Sequence, residues 1–565
     1  MLTWSRWICV VVLASGCGSG ARAPSVGGDT DTDGSGATAE GDGDDGTDDG
    51  HDGTDDGVDV DPNAVAEPLA RRLTDTQYVW SVLDVLGATL TEDERDALPP
   101  DIPTGRDYST NTDVQSFSSQ YVLAYAEIAR SLTARLDTQT LVAEHGGCDA
   151  VTSACRVTFI KTLGHRLYRR PLTETELARY LDLAETIASR AETTEDDVVH
   201  GLVQALLQAP QFLYRLEYET EGEVGQVRRV DGYELASRLS YFLWQSAPDD
   251  ALLTFAAGPN GDGEFDPAAL GEQIERMVGD DRFGRSRALF WDDYTVASRS
   301  SYGTADAALA AELRDSLMAT VLRISGVDAQ PEPLSALFDG QQLVMTPAVA
   351  QLAGAKPTGP GLQVYETADT EQRLGVVTHP AFIASIGTSS FVGRGLFLTE
   401  RLLCQRVAEP PGDVAEEIEQ TAQATEGMTP REASEFRFGL EPVCLGCHTQ
   451  FEPIAYAFER YDMAGRYVTT DESGRPLYSD GVLPTFIDRP EIAFADAPEL
   501  LSALANVDAV PACLVENMTE FGTGSRALAV GEFLPHATAE FVDDGLTYDA
   551  LARAVASSEQ LTLLR

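Results

Sequence analysis

Apolar residues recur at helical spacing through most of the chain beyond residue 67. Tyr78, Val79, Val82, Leu83 and Leu86 fall on one helical face, Thr74 with Gln77 supplies a capping box at its start, and Gly87 closes it. Thr91 with Glu94, Thr173 with Glu176, Asp231 with Glu234, and Thr429 with Glu432 repeat the start signal, the last with Pro430 at the first helical position. After Asp231, Leu235, Leu239, Phe242 and Leu243 form a stripe at i, i+4, i+7 and i+8; a further helix begins near Pro248, carries Leu252, Leu253 and Phe255, and ends at Gly258. These positions read as core rather than as a cofactor pocket. Period-two alternation is scarce, so the pattern predicts a mainly α fold.

Gly- and Pro-rich stretches at about 257–266, 353–361 and 470–485 interrupt the pattern and mark domain boundaries or long loops. No internal repeat at a fixed period is visible.

The first 66 residues follow a different pattern. A short positive region is followed by an apolar run from Trp7 to Leu13 and by the small residues Ala14, Ser15 and Gly16, which predicts an export signal over residues 1–16. Cys17 directly after Ala-Ser-Gly resembles a bacterial lipoprotein box, with Ala14 where Leu is usual. The alternative is an ordinary signal peptide cut nearby with Cys17 left free. Gly18 rather than Asp favours the outer membrane by the same resemblance. No later run of about 18 apolar residues exists, so the membrane is met through the lipid alone.

Residues 17–66 read as a disordered tether, because a tract rich in Gly, Asp, Ser and Thr cannot bury enough apolar surface to offset its ordering entropy. Asp29, Asp31, Asp33, Gly34 and Glu40 match calcium-loop spacing, but position 8 is Gly36 and no amphipathic helices flank the run, so the match reads as accidental. The fourteen acidic residues from Asp29 to Asp61 take the net charge from −51 to −37 when set aside, so the remainder is also acidic. A field of that sign argues against nucleic acid and anionic headgroups as partners.

The eight cysteines sort without remainder. Cys9 leaves with the signal, Cys17 is lipidated, and Cys444 and Cys447 belong to the run Cys444-Leu445-Gly446-Cys447-His448. In an oxidising compartment the other four pair as Cys148 with Cys155 and Cys404 with Cys513, the alternative being four free thiols. The run has the spacing of c-type haem attachment, with two thiols for the vinyl groups and the adjacent imidazole as proximal iron ligand. A local disulfide or redox dithiol, or a zinc site with a fourth ligand, are competing readings. Met463, Met518, His379 and His536 are the candidate distal ligands, and spacing does not choose among them.

No other catalytic motif stands out. Gly-x-Ser-x-Gly, Walker and His-Glu-x-x-His patterns are absent, and only five histidines lie outside both the tether and the haem motif. His165 reads as part of a basic helix end. Asp249 and Asp250 read as first-turn residues favoured by the helix dipole.

Several phrases together resemble the planctomycete-type multidomain secreted proteins, built from planctomycete-specific domains of unknown function around a cytochrome c-like domain. Arg71-Arg72-Leu73-Thr74, Gln77-Tyr78 and Asp84-Val85-Leu86-Gly87 are similar to the opening domain, and Tyr168-Arg169-Arg170-Pro171-Leu172-Thr173 to the next. Pro210 to Arg215, Arg238 to Trp244 and Pro248-Asp249-Asp250 are similar to the third. Thr378-His379-Pro380, Arg394-Gly395, Leu403-Cys404, Pro410-Pro411, Arg431-Glu432, Cys444 to His448, Glu452-Pro453, Phe458-Glu459, Asp462 and Gly465 resemble the cytochrome-like one. Cys513 and Gly524-Ser525-Arg526 resemble the closing domain.

The resemblance implies helical domains in series over 67–140, 141–205, 206–350, 370–470 (cytochrome c-like) and 486–565, and a covalent haem c. Relatives often carry His six residues before the first haem cysteine and Asp-Pro after the motif, where this chain has Phe438 and Glu452-Pro453, a departure that bears on the iron's coordination. Two functions follow as expectations. One is an anchored haem protein that passes electrons to a redox partner or reduces a small oxidant. The other is a haem-free scaffold that binds envelope polysaccharide or a partner, with Cys444 and Cys447 in a disulfide.

Overall fold

The helix starts that the sequence marks are the ones the chain uses. In the computed structural model, Thr74, Thr91, Thr173, Asp231 and Thr429 each accept a hydrogen bond from the backbone three residues on, and the side chain there returns one to the cap. The structure describes residues 70–564 apart from 102–106, 112–117, 150–151, 218–227, 387–390, 409–414, 440–441, 486–490, 526–530 and 532. The signal segment, Cys17, the tether and its calcium-like run, Pro410, Pro411 and Arg526 lie outside the described residues.

The fold is mainly helical, with helical segments following one another along the chain. Four two-stranded antiparallel ladders act as clasps rather than as a sheet layer. Ala70–Arg72 pairs with Tyr214–Leu216, Arg228–Arg229 with Leu563–Leu564, Gln342–Met345 with Gln363–Glu366, and Gly481–Leu483 with Ile492–Phe494.

Two hydrophobic cores result. The smaller gathers Leu73, Tyr78, Phe159, Leu163, Leu202 and Phe212 from the first helices. The larger runs from Tyr108 through Trp244, Trp291, Phe382 and Ile454 to Leu561, so segments far apart in sequence share one interior. The stripe Leu235, Leu239, Phe242 and Leu243 is buried, as its spacing requires. The helix after Pro248 spans Asp250–Ala257 and ends at Gly258, whose φ of 69° with ψ of 176° is a backbone conformation open essentially to glycine alone. The Gly- and Pro-rich stretches at 257–266 and 353–361 are mainly loop and turn, the first closing through Gly263 N–H to Ala257 O at 3.0 Å, while that at 470–485 also carries the strand Gly481–Leu483.

Asp249 caps the helix Asp250–Ala257 through Leu252 N–H and also accepts from Arg276 and Arg282. Burial pushes its carboxyl up, but these bonds prevail and hold it below the usual carboxylate range. Arg282 in turn stacks 3.5 Å above the fully buried ring of Trp244. The acidic pair at 249–250 is therefore structural.

Both expected disulfides are present, Cys148–Cys155 within the first half and Cys404–Cys513 across a separation of 109 residues. The second ties the end of helix Phe391–Leu403 to helix Ala509–Thr523. Beside it Asn517 receives Tyr108 Oη at 2.8 Å and Arg401 at 3.1 Å, which joins the start of the chain to its last third. A crosslink over a loop of 109 residues stabilises by about 5 kcal/mol on chain-entropy grounds. Replacing Cys404 and Cys513 by Ala is expected to lower the stability of the folded chain by that order in denaturant titrations under non-reducing conditions. An unchanged midpoint would contradict a constraint at this position.

Candidate functional site around His448

The Cys444 to His448 run opens the helix Pro442–Tyr456. On that helix His448 and Glu452 are four residues apart and share a face. His448 Nδ1 lies 2.7 Å from Glu452 Oε1. Arg437 Nε donates to the same oxygen at 2.6 Å, and Ser434 Oγ donates to Oε2. Tyr456 Oη completes the network at 2.8 Å from Ser434 Oγ.

Glu452 is fully buried, and burial alone would raise its pKa. The bonds from His448, Arg437 and Ser434 outweigh that and hold it below the usual carboxylate range. An ionised carboxylate only accepts, so His448 donates to Glu452 through Nδ1–H. The imidazole is 22% exposed, which keeps one edge open to a ligand.

Cys447 is a free, half-buried thiol. The backbone through the run is helical, so positions 444 and 447 lie on one helical face. A Cβ added at Gly446, between the two cysteines, would meet nothing within 4 Å, so the helix surface there is open. Among the described residues no group of three or more His, Cys, Asp and Glu is arranged to hold a metal ion. Among the described side chains of the run, the free thiol of Cys447 and the partly exposed imidazole of His448 are of the types that haem attachment would use.

Helix Phe391–Leu403 holds this helix in place. A Cβ at Gly395 would lie 2.2 Å from Phe451 O, so only glycine permits the approach. Arg394, fully enclosed, donates to Phe458 O at 2.5 Å and Tyr461 O at 3.1 Å just beyond the helix. Burial lowers its pKa to about 10, still far above neutrality.

The distal candidates have other surroundings. His379 is fully buried; its Nδ1 accepts Ala381 N–H at 3.0 Å as the cap of helix Pro380–Ser385, Nε2 faces Val344 O, and burial pushes its pKa down to about 3. Met518 is packed into the larger core. Met463 is exposed on the turn that follows Asp462, and His536 is exposed beside Glu540 at 3.3 Å. His448 itself has Glu452 as hydrogen-bond partner and Phe451 as ring neighbour. His165, in the last turn of Ser153–Tyr168, packs edge-on against Tyr233.

Four family models match in order along the chain, each described as a protein of unknown function. Residues 71–138 match DUF1587, 155–217 match DUF1595, 230–354 match DUF1592 and 373–471 match DUF1588. The chain belongs to the planctomycete-type multidomain proteins built from these domains. No curated protein and no solved structure matches it.

Most residues that carry the family resemblance are structural in this member. Arg169 donates to Gln211 O, Phe212 O and Tyr214 O, and Arg238 to Leu561 O and Leu563 O. Gly465, with φ of 77°, lies where a Cβ would be 2.2 Å from Pro380 O, so it and Thr378-His379-Pro380 form one close contact. Arg373 braces both sides, donating to Thr378 O and Gly465 O at 2.6 Å each.

The sequence reading missed Ser434, Arg437 and Tyr456. The i,i+4 spacing of His448 and Glu452 was the available signal; the other three needed the docking of helix Pro430–Phe438. Because the folded pKa of Glu452 is depressed, its stabilisation is complete above the unfolded value near 4.3 and is lost as pH falls through the folded value. Amide exchange in residues 442–456 is expected to accelerate below about pH 4 in the native chain and to lose that acid dependence in Glu452→Gln. A Gln variant with the native acid profile would exclude Glu452 as the group responsible.

Proposed function

We propose that this chain is an exported, membrane-anchored c-type haem protein that transfers electrons. The observation that carries the reading is the pairing of His448 Nδ1 with buried Glu452 on the helix that bears Cys444 and Cys447. In this reading Cys444 and Cys447 bond the porphyrin and His448 Nε2 ligates its iron. Bound haem supplies a one-electron couple. Arg394 and Gly395 fix the helix, while Phe436 and Leu445, both more than a third exposed, offer apolar surface of the kind a macrocycle covers.

Pyridine haemochrome spectra and haem staining of the purified chain, made in a host with haem-maturation machinery, are the test. Covalent haem near one equivalent is expected in the native sequence and none in Cys444→Ala. A colourless native protein whose mass is that of the bare polypeptide would end the reading.

The Ala-Ser-Gly-Cys run supports the anchoring part of this reading, a lipid on Cys17 in the outer membrane with the acidic tract as a tether. Labelled palmitate is expected in the native chain and absent from Cys17→Ala. Equal labelling of the two would place the lipid elsewhere or remove it.

A further inference from the structure

Glu452 is held in a way that a mere helix-stabilising side chain would not need. Its carboxylate is fully enclosed, yet three side chains from two helices are directed at it. Arg437 and Ser434 come from helix Pro430–Phe438, which is itself pinned. Its start carries the Thr429–Glu432 capping box, and Arg431 donates to Asp480 O at 2.8 Å and lies over the Tyr456 ring at 4.9 Å. The two oxygens of Glu452 are therefore fixed before any ligand arrives, and one of them is aimed at the inner nitrogen of the only histidine in the run.

We propose that Glu452 is the positioning residue of the haem site. It fixes the tautomer and orientation of His448, presents Nε2 outward, and lowers the reduction potential of an iron bound there. The inference rests on the haem reading given above. A carboxylate that accepts from Nδ1–H draws the proton toward itself and leaves more electron density on Nε2, which favours the more highly charged ferric state. Arg437 shares the same oxygen and so moderates the effect. The two residues are thus expected to act with opposite sign, which packing alone would not produce.

The experiment is a redox titration of the haem-loaded full-length chain and two variants. Glu452→Gln keeps volume and polarity but removes the charge; it is expected to favour reduction about tenfold, an upward shift of about 59 mV for one electron. Arg437→Gln leaves the Glu452 charge unshared and is expected to shift the midpoint downward. A haem-loaded Glu452→Gln protein with the native midpoint overturns the inference and leaves covalent attachment standing. A native chain without haem overturns the parent reading instead.

A measurement on the native sequence guards against variants that fail to fold. In the haem-free full-length chain, nitrogen NMR of labelled histidine is expected to find His448 protonated at Nδ1 and unprotonated at Nε2 at pH 8. The opposite tautomer overturns the inference whatever the variants do.

Discussion

Buried guanidinium groups that donate to backbone carbonyls are the interaction on which this structure depends. Helices and turns that end inside a core leave carbonyls without partners, and each such group is costly unless it is paired. Arginine answers this with up to five donors in a rigid fork. Arg169 collects the carbonyls at the end of the segment Pro210–Tyr214, Arg238 those near the C-terminal strand, Arg373 those of Thr378 and Gly465, and Arg394 those of Phe458 and Tyr461. Enclosure opposes the charge, lowering Arg373 and Arg394 to about 10, and both remain cationic at any physiological pH. Where a guanidinium also meets a carboxylate, as Arg238 meets Glu217 at 2.6 and 2.8 Å, the pair is enclosed together.

That principle explains why the phrases resembling known domains are rich in arginine. They fix the docking of one segment on another, and the family models follow those segments in order while the larger core runs across them. The site around His448 inherits its rigidity from the same scheme. Arg394 and Gly395 set the helix, Arg431 and the Thr429 cap set its neighbour, and Arg437 sets the carboxylate against the imidazole.

The helices were legible in the sequence because their signals are local. Capping boxes at Thr74, Thr91, Thr173, Asp231 and Thr429 need only residues three apart, and the stripe after Asp231 needs only one helix. A sixth box, Thr194 with Asp197, escaped notice because its returning side chain is Asp rather than the usual Glu or Gln. The cysteine pairing was legible from the seven-residue separation of Cys148 and Cys155 and from the apolar helical stretches beside Cys404 and Cys513, and both bridges are present. The shared core and the contacts of Arg437 and Ser434 were not legible, because they arise only when segments far apart or separately folded come together. Glu452 stood out as a substitution for the Asp that relatives often carry. Its role as an acceptor for His448 became visible only with the helix and its neighbour in place.

The clasp between Arg228–Arg229 and Leu563–Leu564, with Arg238 reaching Leu563 across 325 residues, makes closure of the larger core non-local. Contacts of that separation cost loop-closure entropy before they reward it, so single helices can form early while their docking into one interior comes late. Folding of this core is accordingly slower than its helix content alone would give.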